Sequence, residues 1–226
     1  MRLKKVLFFF PNFARGGIEK TSILLIEYFL SKGIIVNLIT YNSKNKKIFK
    51  NLKNLKNLKI IYSKKKSENF IIKNLFCTYK LYKLLKDSDK KNTVIFSVQN
   101  NILSIMIAKM LGFRIVVRNS APIDYFMHKK KIFDQLKLFI KMIIYSFSDL
   151  IIANSRGSAF KIQKKLIFRT KTISIPNPIK ITKNKIPKNR KNILLYVGRL
   201  SFEKGVFKLI AGFELFFKKN KNFVLK

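Results

Sequence analysis

The sequence predicts an α/β protein: a doubly wound, mostly parallel sheet over about residues 1–175, then the opening of a second α/β unit. Three observations carry that expectation. Strand and helix patterns alternate almost throughout the 226 residues. Most strand-like runs are continuous apolar stretches, as strands covered on both faces require. The connections between elements are short, which favours repeated strand–helix–strand units.

The strand patterns are Val6–Phe10, Ile35–Thr40, Leu58–Ile61, Val94–Val98, Arg114–Arg118, Leu150–Asn154 and Thr172–Ile175. Helix patterns lie between them. Gly17–Lys32 places Ile18, Leu25 and Phe29 on one face and stops at Gly33, a residue suited to the left-handed position after a helix. Asn69–Lys86, Asn101–Leu111, Lys131–Phe147 and Ser155–Phe168 continue the series. Residues 176–191, with three prolines and many lysines, read as a linker. From Asn192 a second unit starts with the run NILLYV, Asn192–Val197, and extends to Lys226. The repeat NLKNLKNLK has a period that suits neither helix nor strand and reads as a solvated segment without assigned function.

Composition narrows the class. Apolar residues make up 48% of the chain, enough for a sizeable core. The one cysteine, Cys77, cannot form an internal disulfide and reads as a core or boundary residue, in keeping with a reducing cytosol. Net charge is +39, from 49 Lys+Arg against 10 Asp+Glu. That balance suits an anionic partner, but lysine used as surface filler in a chain encoded by an AT-rich genome explains it better, since charge alone reports solubility and non-specific binding. Attraction to an anionic membrane surface follows either way. Val6–Phe10 is too short for a signal segment and is broken by Pro11. The longest apolar stretches, Ile102–Val117 and Ile132–Ala153, are interrupted by Lys109, Arg114, Asp134, Lys137, Lys141 and Asp149, and do not read as membrane spans. The expectation is a cytoplasmic protein, peripheral on the inner face of a membrane if it touches one.

Candidate site residues fall where strands end. In a doubly wound sheet, ligands bind at the carboxyl ends of the strands. After the first strand comes Pro11-Asn12-Phe13-Ala14-Arg15-Gly16-Gly17-Ile18-Glu19-Lys20, whose glycines allow close backbone approach and whose helix start favours an anion. It is neither G-x-G-x-x-G nor a P-loop, and a plain strand–helix turn explains it as well. Arg118-Asn119 ends another strand, where Arg118 either forks onto a phosphate or carboxylate or simply faces solvent. Asp124 nearby is a polar ligand or a turn residue. His128 has no orienting partner in sequence and reads as a surface or crevice-edge histidine. Asn154-Ser155 opens a helix, with an N-cap role sufficient to explain it. Asn177, between two prolines, is able to face the cleft. Finally, Tyr196–Gly205 (YVGRLSFEKG) runs strand, glycine turn and helix start. Gly198 permits the turn, and Arg199 and Lys204 stand on either side of it. Convergence of those two cations would neutralise a diphosphate. Glu203 is a carboxylate that the helix dipole favours.

In order and spacing, four of these segments resemble a GT-B glycosyltransferase of the large retaining family 4. They are Gly16-Gly17-Ile18-Glu19, Ile152-Ala153-Asn154-Ser155, Ile175-Pro176-Asn177-Pro178, and Tyr196-Val197-Gly198-Arg199-Leu200 with Glu203-Lys204-Gly205. The resemblance implies two facing Rossmann-like domains with the active site between them. It implies that Arg199 and Lys204 act as the catalytic cations, binding the diphosphate of a nucleotide-sugar donor and stabilising the leaving group without a metal or other cofactor. Gly16, Gly17 and Gly198 would line the donor phosphate. Arg118, Asn119, Asn154 and Asn177 would lie on the acceptor side or in the cleft. The acceptor would be a cell-surface polysaccharide or lipid-linked glycan. Only residues 192–226 represent the donor domain, so the expectation is a truncated or split product with little activity of its own. An alternative is a non-catalytic acceptor-binding half that works with a separate C-terminal half. A nucleic-acid-binding protein rests on charge alone, since no recognition motif accompanies it, and no specific nucleic acid partner is expected.

Overall fold

A computed structural model describes residues 3–13, 16–41, 55–63, 67, 69–120, 132–179, 191–198, 200 and 202–226. The chain divides into two compact units, 1–179 and 180–226.

The first unit is built on seven parallel strands. They are β1 Lys5–Phe9, β2 Ile35–Ile39, β3 Leu58–Ile61, β4 Thr93–Ser97, β5 Arg114–Asn119, β6 Leu150–Ala153 and β7 Thr172–Ser174. Their order across the sheet is β3-β2-β1-β4-β5-β6-β7. The direction of winding therefore reverses between β1 and β4, which lie side by side with Phe9 opposite Ser97. That is the switch point where open α/β sheets leave a crevice at their carboxyl edge. All seven strands lie within one residue of the bounds that the apolar runs predict. The fold class is the expected doubly wound α/β one.

Among the described residues, five helices cover the sheet: α1 Gly17–Ser31, α2 Phe70–Lys86, α3 Asn101–Met110, α4 Ile132–Tyr145 and α5 Arg156–Lys165. Because successive side chains on a strand point to opposite faces, β1 feeds two cores. Val6 and Phe8, with Phe10 just beyond the strand, pack with Val36, Leu38, Phe96 and Ile26 of α1. Phe8 stacks on Phe96 with ring centroids 4.7 Å apart. Leu7 and Phe9 join the other core, with Cys77 and Leu81 of α2, Ile105 of α3, Met142 of α4 and Ile162 of α5. So α1 covers one face and α2–α5 the other. Cys77 is fully buried, and burial pushes its thiol up to about 12. It is a core residue and not a thiolate nucleophile.

Local chemistry sets several boundaries. Gly33 follows α1 at φ +73, and its N–H donates to the Leu30 carbonyl at 2.9 Å. A glycine takes this left-handed position without a Cβ clash. Asn57, at φ 67, plays a similar part just before β3. Helix α5 ends three residues earlier than its apolar pattern suggests. Leu166 is extended, and the Ile167 N–H donates to the Ser146 hydroxyl at 3.0 Å instead of continuing the helix. Lys109 and Asp149, which interrupt two apolar stretches in the sequence, meet across 2.6 Å, and Asp149 also accepts from the Ile115 N–H at 2.7 Å.

The described residues of the second unit form a strand–helix–strand piece. β8 Ile193–Leu194 runs parallel to β9 Val224–Leu225. A 3-10 turn, Phe202–Lys204, leads into α6, Val206–Lys219. The strand is shorter than the run Asn192–Val197, since Leu195 and Val197 lie beyond the paired residues and are exposed. Among the described residues of this unit, none is buried.

Candidate functional site

The loops at the carboxyl edge of the seven-stranded sheet are tied to one another. At the switch point, the Asn12 N–H after β1 donates to the Gln99 side-chain carbonyl after β4, 3.1 Å away. The Pro11 carbonyl accepts from the Tyr41 N–H at 3.0 Å, joining the same loop to the end of β2. Gly16 is the N-cap of α1 and takes an extended conformation. A Cβ on Gly16 would stand 2.8 Å from Oε2 of Glu19, whereas one on Gly17 would meet nothing within 4 Å. Glu19 sits in the first helical turn at 7% exposure, where the positive helix end favours a carboxylate. A side chain at position 16 would therefore press on the Glu19 carboxylate, and one at position 17 would not.

Further along the edge, Arg118 organises a polar cluster. It is 2% exposed, which removes the solvent-facing reading of this residue. Its Nη2 donates to the side-chain carbonyls of Asn177 at 2.7 Å and Asn154 at 3.2 Å, and to the Ile175 carbonyl at 3.4 Å. Asn154 in turn donates to the Ser120 carbonyl at 3.1 Å. Burial lowers the Arg118 pKa, and a guanidinium starting so high stays charged. A buried cation needs such partners. The ends of β5 and β6 and the segment after β7 are thus locked to one guanidinium. Arg118, Asn154 and Asn177, far apart in sequence, are brought together, and Asn119 lies buried beside them, paired with Ala153 in the sheet register. Ser155 caps α5, its hydroxyl accepting from the Ser158 N–H at 3.2 Å.

Sequence reasoning missed the layer beneath. Asn101, at the start of α3, accepts from the Ser97 hydroxyl at 2.7 Å and donates to the Tyr145 hydroxyl at 2.9 Å and the Arg118 carbonyl at 3.4 Å. Burial pushes the Tyr145 phenol up to about 12. The signal was present in Ser97, Gln99, Asn100 and Asn101, polar residues that flank Val98 where an apolar strand ends. Two buried polar atoms on this edge, Asn100 Nδ2 and Ser120 Oγ, have no hydrogen-bond partner. Asn100 also adopts a left-handed conformation, φ 54 and ψ 44.

In the second unit, Lys204 closes the 3-10 turn directly before α6 and is exposed. Gly205, at φ +69, is the N-cap of α6. A Cβ on Gly198 would fall 2.6 Å from the Tyr196 hydroxyl, so the glycine makes room for that ring. Arg199, His128 and Asp124 lie outside the described residues. Among the described residues, no group of His, Cys, Asp and Glu could hold a metal ion.

No protein-family model matches the chain, and no curated protein matches it in sequence. Solved structures do match in fold. HepE of Anabaena, in complex with UDP and glucose, superposes with a TM-score of 0.65 at 14% identity, over 89% of this chain and 55% of that one. The lipopolysaccharide outer core galactosyltransferase WaaB gives 0.57 at 19% identity, over 92% and 57%. UGT2 of Phytolacca americana, complexed with UDP-2-fluoro-glucose and pterostilbene, gives 0.54 at 10%, over 90% and 62%. The chain spans little more than half the length of these proteins, and what it shares with them is a mostly parallel, Rossmann-like α/β fold.

Proposed function

We propose that this chain belongs to a retaining glycosyltransferase that takes its sugar from a nucleoside-diphosphate donor. The observation that carries the reading is the fold likeness to HepE, whose structure holds UDP and glucose. The motif residues already quoted support the finer assignment to retaining family 4. In the reaction, the bond between the anomeric carbon and the diphosphate oxygen breaks, and a bond to an acceptor hydroxyl forms. Negative charge develops on the departing diphosphate. Arg199 and Lys204 would neutralise it, and cations aimed at developing charge are among the largest catalytic contributions. Gly16, Gly17 and Gly198 would admit the donor phosphate and sugar close to the backbone. Arg118 and Asn119, with Asn154 and Asn177, would shape the acceptor side, Arg118 acting as a positioning residue because its Nη2 is engaged by the two asparagines and the Ile175 carbonyl. The acceptor would be a polysaccharide or lipid-linked glycan, with peripheral attachment to an anionic membrane. No helix among the described residues is long and apolar enough to cross one.

A second reading makes the chain the acceptor-binding half of a split enzyme. One observation favours it: α6 has no buried residue, and Phe207, Ile210 and Leu215 are exposed along it. Such a helix calls for more polypeptide to pack against. The test is sugar transfer or donor hydrolysis by this chain alone and with the product encoded immediately downstream. Turnover that appears only with the second product supports the split form. Turnover by this chain alone at about 1 s⁻¹ or faster, the range of ordinary enzymes, would overturn it. Absence of donor binding in both samples would overturn the transferase reading itself.

A further inference from the structure

We propose that the carboxyl edge of β4 and β5 holds an oxyanion, so that the acceptor presented there carries a phosphate or a carboxylate. Calling the bearer of that group an acceptor rests on the transferase reading. Oxyanion binding itself is read with no donor present.

Arg118 supplies the charge. A guanidinium carries five N–H donors in a planar fork. Those on Nη2 serve Asn177, Asn154 and the Ile175 carbonyl, whereas Nε and Nη1 donate to no described residue. All three acceptors are neutral, and Arg118 is only 2% exposed. Burial lowers its pKa, and no carboxylate among the described residues offsets that cost. A charge taken out of water in this way calls for an opposite one. Nη2 therefore fixes the guanidinium in place and leaves the rest of the fork for a ligand.

Two further polar groups lie unpaired on the same edge. Asn100 Nδ2 and Ser120 Oγ are both buried without a hydrogen-bond partner. Few buried polar groups in native proteins are left in that state. The two residues leave neighbouring strands at one level. Ser97 of β4 pairs with Val117 of β5, and Asn100 and Ser120 each follow three residues later. Their loops are tied down. The Asn101 side chain donates to the Arg118 carbonyl at 3.4 Å, and the Asn154 side chain donates to the Ser120 carbonyl at 3.1 Å. An amide, a hydroxyl and the unused side of a guanidinium thus stand at the ends of two adjacent strands, held before any ligand arrives.

Charge chooses the ligand. A neutral sugar hydroxyl would pair with the amide or the serine but leave the guanidinium uncompensated. A phosphate or carboxylate accepts from all three groups, and both match the arginine fork.

The test is calorimetric titration of the full chain carrying Arg199→Ala and Lys204→Ala, which strips the donor corner of its two cations. The titrants are inorganic phosphate, glucuronate and glucose at constant ionic strength, because a chain of net charge +39 attracts anions everywhere. Phosphate or glucuronate should bind saturably, and glucose should not. Whichever of the two binds more tightly tells a phosphorylated acceptor from an acidic sugar. Adding Arg118→Gln should weaken binding about tenfold or more. Adding Ser120→Ala should weaken it several-fold yet leave the anion-free melting temperature unchanged or raised, since an unpaired buried hydroxyl gives the fold no hydrogen bond. That combination separates a ligand contact from a structural one and does not depend on how well the Arg118 variant folds. Lys32→Gln, at the far end of α1, should bind like its parent. Equal affinity with and without Ser120→Ala would overturn the proposal. So would equal affinity for glucose and glucuronate, or no saturable oxyanion binding at all. UDP binding by the unsubstituted chain alongside any of these failures would leave the transferase reading standing.

Discussion

The two units of this chain differ in how sequence pattern converts into packing. The first has modest motifs and a complete core, with Phe8, Phe9 and Phe10 fully buried on a seven-stranded sheet. The second carries the most recognisable motif, YVGRLSFEKG, just after a two-residue strand, and none of its described residues is buried. A motif specifies a local strand–turn–helix path, but stability comes from apolar area removed from water. Recognition and folding strength are thus written in different stretches of the chain.

Substitutions can sharpen that contrast. Phe9→Ala should destabilise the first unit by about 3–5 kcal/mol, the usual cost of emptying a buried aromatic site. Urea unfolding followed by near-UV circular dichroism would measure it. Arg118→Leu comes next. It leaves the acceptors of Asn154, Asn177 and Ile175 without their donor, at roughly 2–4 kcal/mol. It should also loosen the segment after β7, seen as faster amide exchange around Ile175, whose N–H donates to the Ala153 carbonyl at 2.9 Å. Smallest is Phe207→Ala on α6, within about 0.5 kcal/mol, because that ring is already 67% exposed. A loss at Phe207 as large as that at Phe9 would show the second unit buried against something else and break the comparison.

High pH tests the first unit alone. The Cys77 thiol rises from 9.0 to about 12, and the Tyr145 phenol from 10.0 to about 12, chiefly through burial. Folding favours the protonated form of both. Their contribution is fully present below pH 9 and falls as pH rises toward about 12. The contribution of Cys77, read as the difference between the parent and Cys77→Ser in chemical denaturation, should decline from pH 9 to pH 11. Iodoacetamide should leave Cys77 unmodified in the native protein and label it after unfolding.

Much of the fold was legible because buried parallel strands write themselves as short, unbroken apolar runs. Val94–Val98 and Arg114–Arg118 are displaced from the observed strands by a residue at most. Gly33 marked its helix end because only its backbone conformation matters there. The interior polar links were not legible. Lys109 and Asp149 are 40 positions apart, and each alone looks like a flaw in an apolar stretch. Asn101 and Tyr145 are 44 apart. Such pairs depend on which helices the sheet order makes neighbours, and no local pattern records that. At the carboxyl edge, Arg118, Asn154 and Asn177 were each visible as strand-end residues. Their convergence on one buried guanidinium appeared only in three dimensions. Arg199, the residue to which the motif gives most weight, lies outside the described residues, so its role rests on its place in the sequence.

The most direct test of the donor assignment is calorimetric titration of the full chain with UDP, alongside the double variant Arg199→Ala, Lys204→Ala. Saturable binding by the parent, weakened about tenfold or more in the variant, is the result expected. Binding of equal strength in both proteins would contradict the placement of the donor diphosphate at Gly198–Lys204.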